Sequence, residues 1–298
     1  MTIQFNCPNC GELIAFADKH RGKCAHCATC GQRFTIPRTN DQTAKKIEPP
    51  EEKTEPLPGF YRAVFIGNWK LLASTKNPTG LVLAAAAVCF KFFTGHTDYS
   101  WTLGGFRFQA PTGLLITLGA WGCLFWYYME VISSTALDNE ELPEVDMGGF
   151  FGFIWNVMTS LFVFAVLLMF VLLPSIIYFA VSTRADVVWY VMVHAGLFVF
   201  PMAILTFSVG RDFGLVFRPD YVLKPIMKAP WPYLVVFGLF ALAWELQLRT
   251  VGYGRLVNSN NLIIALHLLA NLAVQAIAII AMRSIGLFYR HYSCHFRW

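Results

Sequence analysis

Six long apolar segments restrict this chain of 298 residues to a membrane-spanning fold. They cover residues 79–95, 111–135, 149–182, 187–210, 231–249 and 260–288. A membrane-spanning helix needs about 20 predominantly apolar residues. The third segment carries no charged residue over 34 positions, which is longer than the uncharged runs of buried helices in soluble proteins. We therefore predict a mainly α fold whose larger part is a six-helix polytopic membrane bundle.

Composition supports a membrane protein over a soluble or disordered chain. The chain is 56% hydrophobic and 14% charged, whereas soluble domains average about 45–50% apolar and about 25% charged residues. The first apolar segment, 79–95, is short and contains Lys91. If that segment does not span, five spans remain and the carboxyl terminus changes side.

Two Cys-x-x-Cys-Gly motifs near the amino terminus predict a metal site. Residues 7–11 read CPNCG and residues 27–31 read CATCG, with sixteen residues between the second and third cysteines. This spacing is typical of a four-cysteine zinc ribbon, in which four thiolates close a tetrahedral site. We predict one zinc ion bound by four ligands: Cys7, Cys10, Cys27 and Cys30. Short strands are expected at 13–16, 22–25 and 33–36.

Other cysteines and histidines leave alternatives to this ligand set. Cys24 could replace one of the predicted ligands through a competing Cys-Ala-His-Cys turn, and His20 and His26 are further candidates. A disulfide framework is the remaining alternative, which a cytoplasmic location disfavours. Cys89 and Cys123 fall in apolar segments and are expected to act as small apolar side chains.

The segment that ends in GKCAHCATCGQRFTIP resembles the short zinc ribbons at the amino termini of many bacterial membrane and regulatory proteins. The resemblance covers residues 3–37 and implies that the paired cysteines hold the metal. Cys24 departs from that pattern. The membrane part is similar to Yip1-like polytopic bacterial domains in its LPEVD stretch before Gly149 and its final GLFYRHY. That similarity implies an architecture and no catalytic residues.

The region between the ribbon and the first apolar segment divides in two. Residues 38–58 are rich in Lys, Glu, Thr and Pro and have few large apolar side chains, which predicts a flexible linker. Residues 59–78 place Phe60 and Val64 on one helical face and add basic residues elsewhere. This pattern predicts an amphipathic helix, either at the lipid headgroups or packed on the membrane domain.

Basic residues in the loops predict the orientation of the bundle. With the amino terminus in the cytoplasm, nine Lys or Arg residues of segment 59–298 fall on the inner side and four on the outer side, before the amino-terminal region is counted. The inner residues are Arg62, Lys70, Lys76, Arg211, Arg218, Lys224, Lys228, Arg290 and Arg297. The outer residues are Arg107, Arg184, Arg249 and Arg255. We predict a bacterial inner-membrane protein with both termini in the cytoplasm.

Polar side chains within the apolar segments are candidate functional residues, because lipid offers them no hydrogen-bond partners. The candidates are Lys91, His194, Glu245, His267, Asn271 and Gln275. The last three recur every four residues and share one helical face. That face is expected to point into the bundle, with Glu245 as a contact, where it would hold helices together or line a pathway.

No nucleotide-binding P-loop, serine-hydrolase elbow or zinc-protease motif occurs in the sequence. A closed four-thiolate site also leaves no position for a substrate. We therefore predict a non-enzymatic scaffold whose ribbon binds a protein partner, with membrane lipids around the bundle. Nucleic acid is not expected, and a homo-oligomer is left open. The alternative is a small-solute or proton-coupled transporter that uses the polar face of the last helix.

Overall fold

The computed structural model describes residues 2–7, 10–17, 24–27, 29–30, 33–35, 45–46, 55–73, 78–103, 106–137, 141–145 and 149–296. The chain divides into two compact units, Met1–Thr54 and Glu55–Trp298. Short strands make up the described part of the first unit, and the second unit carries the apolar helices. The predicted fold class, a helical membrane part with a small amino-terminal β unit, is confirmed.

The first unit contains two small antiparallel sheets. Strands β1 (Thr2–Asn6) and β2 (Leu13–Ala17) form a hairpin in register from Thr2–Ala17 to Asn6–Leu13. The second sheet has the order β3-β4-β5, formed by Cys24–His26, Arg33–Thr35 and Lys45–Lys46. The predicted strands correspond to β2, β3 and β4. Strand β5 lies inside the predicted linker 38–58, so at least these two residues pair with β4.

The second unit begins with a helix that packs on the last helix of the bundle. Helix α1 (Phe60–Arg62), a π-helical turn (Ala63–Gly67) and α2 (Asn68–Ala73) follow each other without a break. We call this segment the leading helix. It packs against the carboxyl-terminal half of α10 (Asn261–Tyr292). The packed arrangement predicted for residues 59–78 is therefore the one found for the described part of that segment.

The end of the predicted linker also belongs to this unit. The Leu57 N–H donates to the His291 carbonyl oxygen at 2.8 Å, and His291 Nδ1 lies 3.0 Å from the Leu57 carbonyl oxygen. These contacts fasten the start of the leading helix to the end of α10. The prediction of a flexible linker up to residue 58 is wrong for this last part.

Two helices and a hairpin follow. Helix α3 (Thr79–Thr94) leads into the antiparallel strands β6 (Tyr99–Leu103) and β7 (Phe106–Ala110). Helix α4 (Thr112–Ala136) comes next and packs against α3. Tyr127, in the second half of α4, is 1% exposed, because it lies against the amino-terminal turn of α3 at Gly80.

Helices α5 (Gly149–Ser182) and α6 (Val187–Gly210) form the predicted antiparallel hairpin. Four residues join them, and Thr183 adopts a positive φ of 54° at the end of α5. Asp186 caps α6 by accepting a hydrogen bond from the Trp189 N–H at 3.0 Å. Asp and Asn side chains at this position satisfy the free amides of the first helical turn, so the sharp reversal is locally encoded.

The remaining elements complete the bundle. After α6, the chain forms α7 (Phe213–Val216), the amphipathic α8 (Pro219–Lys228) and α9 (Pro230–Leu248) before α10. Helices α4 and α10 are central: α4 packs against α3, α5, α6 and α10, while α10 also packs against α9. Every residue of α10 from Ala278 to Phe288 is buried.

Five helices are long and apolar enough to cross a membrane, namely α4, α5, α6, α9 and α10, within the part of the chain described here. The chain is therefore a multi-pass membrane protein. The first predicted span instead forms α3, which has 16 residues and a length of about 24 Å at 1.5 Å per residue. A hydrocarbon core is about 30 Å thick, so α3 is shorter than the predicted span requires.

Candidate functional site

Four cysteine sulfurs of the first unit lie within 4.8 Å of one another. Cys7 Sγ is 3.7 Å from Cys30 Sγ, and Cys10 Sγ is 3.6 Å from Cys27 Sγ. A zinc–sulfur bond of about 2.3 Å places the corners of a tetrahedron about 3.8 Å apart. The cluster therefore has the size of a four-thiolate metal site, and the four cysteines could hold a metal ion.

Each Cys-x-x-Cys turn is shaped by its own backbone. In the first turn, the Gly11 N–H donates to the Cys7 carbonyl oxygen at 3.0 Å, and Gly11 has a φ of 74°. Glycine adopts that conformation without steric cost. In the second turn, the backbone N–H of Cys30 bonds to Cys27 Sγ and lowers the pKa of Cys27, whereas desolvation and the neighbouring sulfurs raise the pKa of Cys10. Cys27 is therefore the first of this pair to form the thiolate, which is the form that binds a metal.

A small apolar core supports the cluster from one side. Cys7 and Cys27 are 4% and 3% exposed and pack with Phe5. Phe5 also stacks on Phe16 of β2, with ring centroids 6.3 Å apart. A core of this size cannot stabilise a unit of about 50 residues alone, so a bound metal would supply much of its folding free energy.

The sequence offers three alternative ligands, namely Cys24, His20 and His26. Cys24 begins β3, where its backbone pairs with Thr35, but its side chain and those of His20 and His26 lie outside the described residues. The four clustered cysteines are free thiols, as are Cys89, Cys123 and Cys294. The cluster thus consists of the four predicted ligands, and zinc as the bound metal stays a prediction.

In the membrane unit, the polar side chains of α10 connect three helices. The Tyr128 hydroxyl of α4 donates to Gln275 Oε1. Gln275 Nε2 donates in turn to Gln247 Oε1 of α9 at 2.7 Å. Asn271 and Gln275 are each 4% exposed, so this face of α10 points into the bundle, as its four-residue spacing predicts.

Asn271 ties α10 to the loop that precedes it. Its side-chain amide donates to the Val251 carbonyl oxygen at 3.1 Å and to the His267 carbonyl oxygen at 2.8 Å. His267 itself is half-buried. Hydrogen bonds between helices contribute about 0.6–1.7 kcal/mol each in membranes. The two buried amides of α10 therefore link neighbouring segments of the bundle.

Glu245 lies elsewhere than predicted. Its carboxylate forms an ion pair with Arg249 one turn later, at 2.6 Å, and both side chains are more than half exposed. The predicted contact with the α10 face is made instead by Gln247, two positions along α9. Residues i and i+2 of a helix point about 200° apart, so the sequence placed the contact on the wrong side of α9.

The other two candidates are also separate from this network. Lys91 Nζ lies 4.4 Å from the centroid of the Trp121 ring, a cation–π geometry. His194 is exposed on α6, and its Nδ1 lies 2.7 Å from the Tyr190 carbonyl oxygen of the same helix. The expected pairing of Glu245 with Lys91 or a histidine is therefore wrong.

One charged residue inside the last apolar segment was missed by the sequence reasoning. Arg283 is 9% exposed, and its guanidinium donates to Asn68 Oδ1 of the leading helix at 2.7 Å. Asn68 Nδ2 donates to Ser284 Oγ at 3.0 Å. The signal was available, because Arg283 is the one charged residue in segment 260–288.

These positions predict effects of different size for two substitutions in α9. Gln247→Leu removes a half-buried interhelical hydrogen bond and is expected to lower the free energy of unfolding by about 0.6–1.7 kcal/mol. Glu245→Gln removes an exposed ion pair and is expected to change it by less than about 0.5 kcal/mol. Thermal denaturation of both variants in one detergent measures the difference. A larger loss for Glu245→Gln would contradict the assigned network.

Two cavities border the polar network. An apolar cavity of about 370 Å³ lies between α4, α5, α9 and α10, with Tyr128 and Gln247 at its wall. A polar pocket of about 540 Å³ lies at the end of the bundle where α3 and α9 finish. Its polar lining includes Lys91, His96, Gln247, Arg255 and Asn271.

No protein-family model, curated protein or solved structure matches this chain. The resemblances to zinc ribbons and to Yip1-like domains therefore stay predictions. What the sequence and the structure establish together is a multi-pass membrane protein whose amino-terminal unit gathers four cysteines into a cluster that could hold a metal ion.

Proposed function

We propose that the chain is a non-enzymatic recruitment protein of the bacterial inner membrane. In this proposal a zinc-loaded amino-terminal unit binds a protein partner in the cytoplasm and the helical bundle holds it at the membrane. The observation that carries the proposal is the four-cysteine cluster. It is closed, with one sulfur per ligand and no fifth donor among the described residues, which suits a structural metal better than a catalytic one.

The first unit offers a surface for such a partner. Leu13 of β2 is 63% exposed, although it lies beside the cysteine cluster in sequence. Ala15, two residues along the same strand, is also exposed. Alternate residues of a strand share a face, so these two side chains form the start of an apolar contact surface that the metal would hold in shape.

The path of the chain supports termini on the same side of the membrane. Phe60 contacts Phe288 near the end of α10, and Asn68 reaches Ser284, so the leading helix runs antiparallel to α10. Phe92, near the end of α3, packs on Tyr253 in the loop before α10. The leading helix and α3 thus follow α10 from its end to its start and together make a first pass, in addition to the five longer helices.

A transporter remains the second candidate because of the polar pocket of about 540 Å³. The residues that follow Gln275 in α10 argue against a transporter. Positions 276–282 of α10 are all Ala, Ile or Met, and this stretch of about 10 Å separates Gln275 from the next polar residue, Arg283. The bundle interior beyond the pocket is apolar along α10, which suits a sealed anchor.

Affinity purification of the tagged chain from membranes tests the recruitment role. We expect a specific protein to co-purify with the full chain. The recovered amount of that protein is expected to fall at least tenfold when residues 1–54 are deleted or Cys27 is changed to Ser. Leu13→Ser is expected to weaken capture, while Val257→Ser, at an exposed apolar position of the membrane unit, is the control. Quantitative mass spectrometry measures each ratio. Equal capture by the full chain and the deletion variant would contradict the proposal.

A further inference from the structure

A basic cleft lies between the leading helix and the end of α10. Its volume is about 660 Å³. Four of its ten lining residues are basic or can be protonated, and none is acidic: the four are Lys70, Arg283, Arg290 and His291. The cleft is about the size of a small polar ligand and carries a concentrated positive charge, which selects for an anion.

The arginine at the base of this cleft is built into the structure. Arg283 is 9% exposed, and its Nη1 donates to Asn68 Oδ1 at 2.7 Å. Asn68 is 1% exposed and is itself oriented by its bond to Ser284. A buried charged group in a membrane protein is costly and is retained where it has a role. Here the buried Asn68, itself oriented by Ser284, holds the guanidinium at the wall of an open cleft.

The leading helix leaves room for a ligand at this point. Its π-helical turn, Ala63–Gly67, faces the cleft with its two smallest residues at the ends. A Cβ atom at Gly67 would have the Arg62 carbonyl oxygen at 3.9 Å as its nearest neighbour. Single π-helical turns inside α-helices are frequent at functional sites, and both ends of this one line the same cleft as Arg283.

The opposite face of the leading helix places the cleft at the level of lipid headgroups. Tyr61, Phe65 and Trp69 are 48%, 54% and 58% exposed. Aromatic side chains of this kind concentrate at the boundary between the acyl chains and the headgroups. Basic pockets between membrane helices at this level bind anionic lipid headgroups.

We propose that the cleft between the leading helix and α10 binds the phosphate group of an anionic phospholipid, with Arg283, Lys70 and Arg290 as its ligands. The guanidinium of Arg283 donates to phosphate oxygens from the wall of the cleft, and the other two cations neutralise the charge at its mouth. The exposed aromatic face of the leading helix, formed by Tyr61, Phe65 and Trp69, lies against the acyl chains. The site is independent of the recruitment role, since it belongs wholly to the membrane unit.

Lipid binding to the purified full chain in detergent tests this site. Phosphatidylglycerol is titrated against phosphatidylcholine and inorganic phosphate, with native mass spectrometry and thermal stability as readouts. We expect phosphatidylglycerol to bind at least tenfold more tightly than phosphatidylcholine. Arg283→Gln is expected to lower the affinity for phosphatidylglycerol at least tenfold. Arg249→Gln, at the exposed position that follows α9, is the matched control and should bind as the wild type does.

Two further variants keep the test decisive if Arg283→Gln does not fold. Lys70→Gln removes an exposed cation at the mouth of the cleft, and Gly67→Leu fills the cleft without meeting the backbone. Each is expected to weaken phosphatidylglycerol binding at least threefold. Equal binding of the two lipids, or unchanged binding in both of these variants, would overturn the proposal. Equal stabilisation by inorganic phosphate would overturn the assignment to a lipid.

Discussion

Replacing Cys27 with Ser in the full chain is expected to lower bound zinc from one equivalent to nearly none. Cys27 is 3% exposed, and its sulfur lies 3.6 Å from that of Cys10, so no other described ligand can take its place without moving the turn. Structural zinc sites in small peptides contribute about 10–16 kcal/mol of apparent binding free energy. Elemental analysis of the purified protein measures the stoichiometry.

The remaining cysteines supply the controls for this experiment. Cys24→Ser is expected to retain one zinc per chain, and Cys89→Ser, in the membrane helix α3, should do the same. Circular dichroism of the wild type after chelation should show the loss of the small sheets while the helical signal persists. If Cys24→Ser lost the metal and Cys30→Ser kept it, the ligand set would be wrong.

Gly196→Ala is expected to lower the free energy of unfolding by about 1–3 kcal/mol, the usual cost of overpacking a filled interior. Gly196 lies where α6 crosses α5, and a Cβ atom there would be 2.4 Å from the Val171 carbonyl oxygen. That oxygen belongs to the α5 backbone and cannot rotate away. The two helices would have to separate, which also disturbs their short connection.

The matched control is Gly238→Ala in α9. A Cβ atom at Gly238 has no neighbour within 4 Å, so the substitution adds helix propensity, worth about 1 kcal/mol, without a clash. Melting temperatures measured in one detergent should fall for Gly196→Ala and stay level or rise for Gly238→Ala. Equal behaviour of the two variants would show that α5 and α6 are packed less closely than described.

Local patterns in the sequence were sufficient for the five long helices α4, α5, α6, α9 and α10 and for the cysteine cluster. The uncharged stretch of α5 and its four-residue connection to α6 define a helical hairpin, because any other conformation leaves backbone groups unpaired in lipid. The paired Cys-x-x-Cys-Gly turns also define the cysteine cluster locally. Each turn gathers two sulfurs within five residues, so two such turns need only one contact to complete the set.

The polar contacts of the bundle depended on tertiary structure. Gln247 and Glu245 lie two residues apart on α9, and only the rotation of α9 about its own axis decides which of them meets Gln275. Nothing in the four-residue spacing of α10 specifies that rotation. The amphipathic pattern of the leading helix indicated a packed face through Phe60 and Val64, but it did not indicate that Asn68, one turn later, would lie there and meet a polar partner.

Arg283 and Asn68 show most clearly which contacts the sequence does not specify, because 215 positions separate them in the chain. Arg283 was not singled out from the sequence, although a charge inside an apolar segment is costly in lipid and therefore requires a polar partner. Which partner it found depended on the packing of the leading helix against α10. Helix periodicity specifies which residues share a face, whereas the side chains at the interface decide which faces meet.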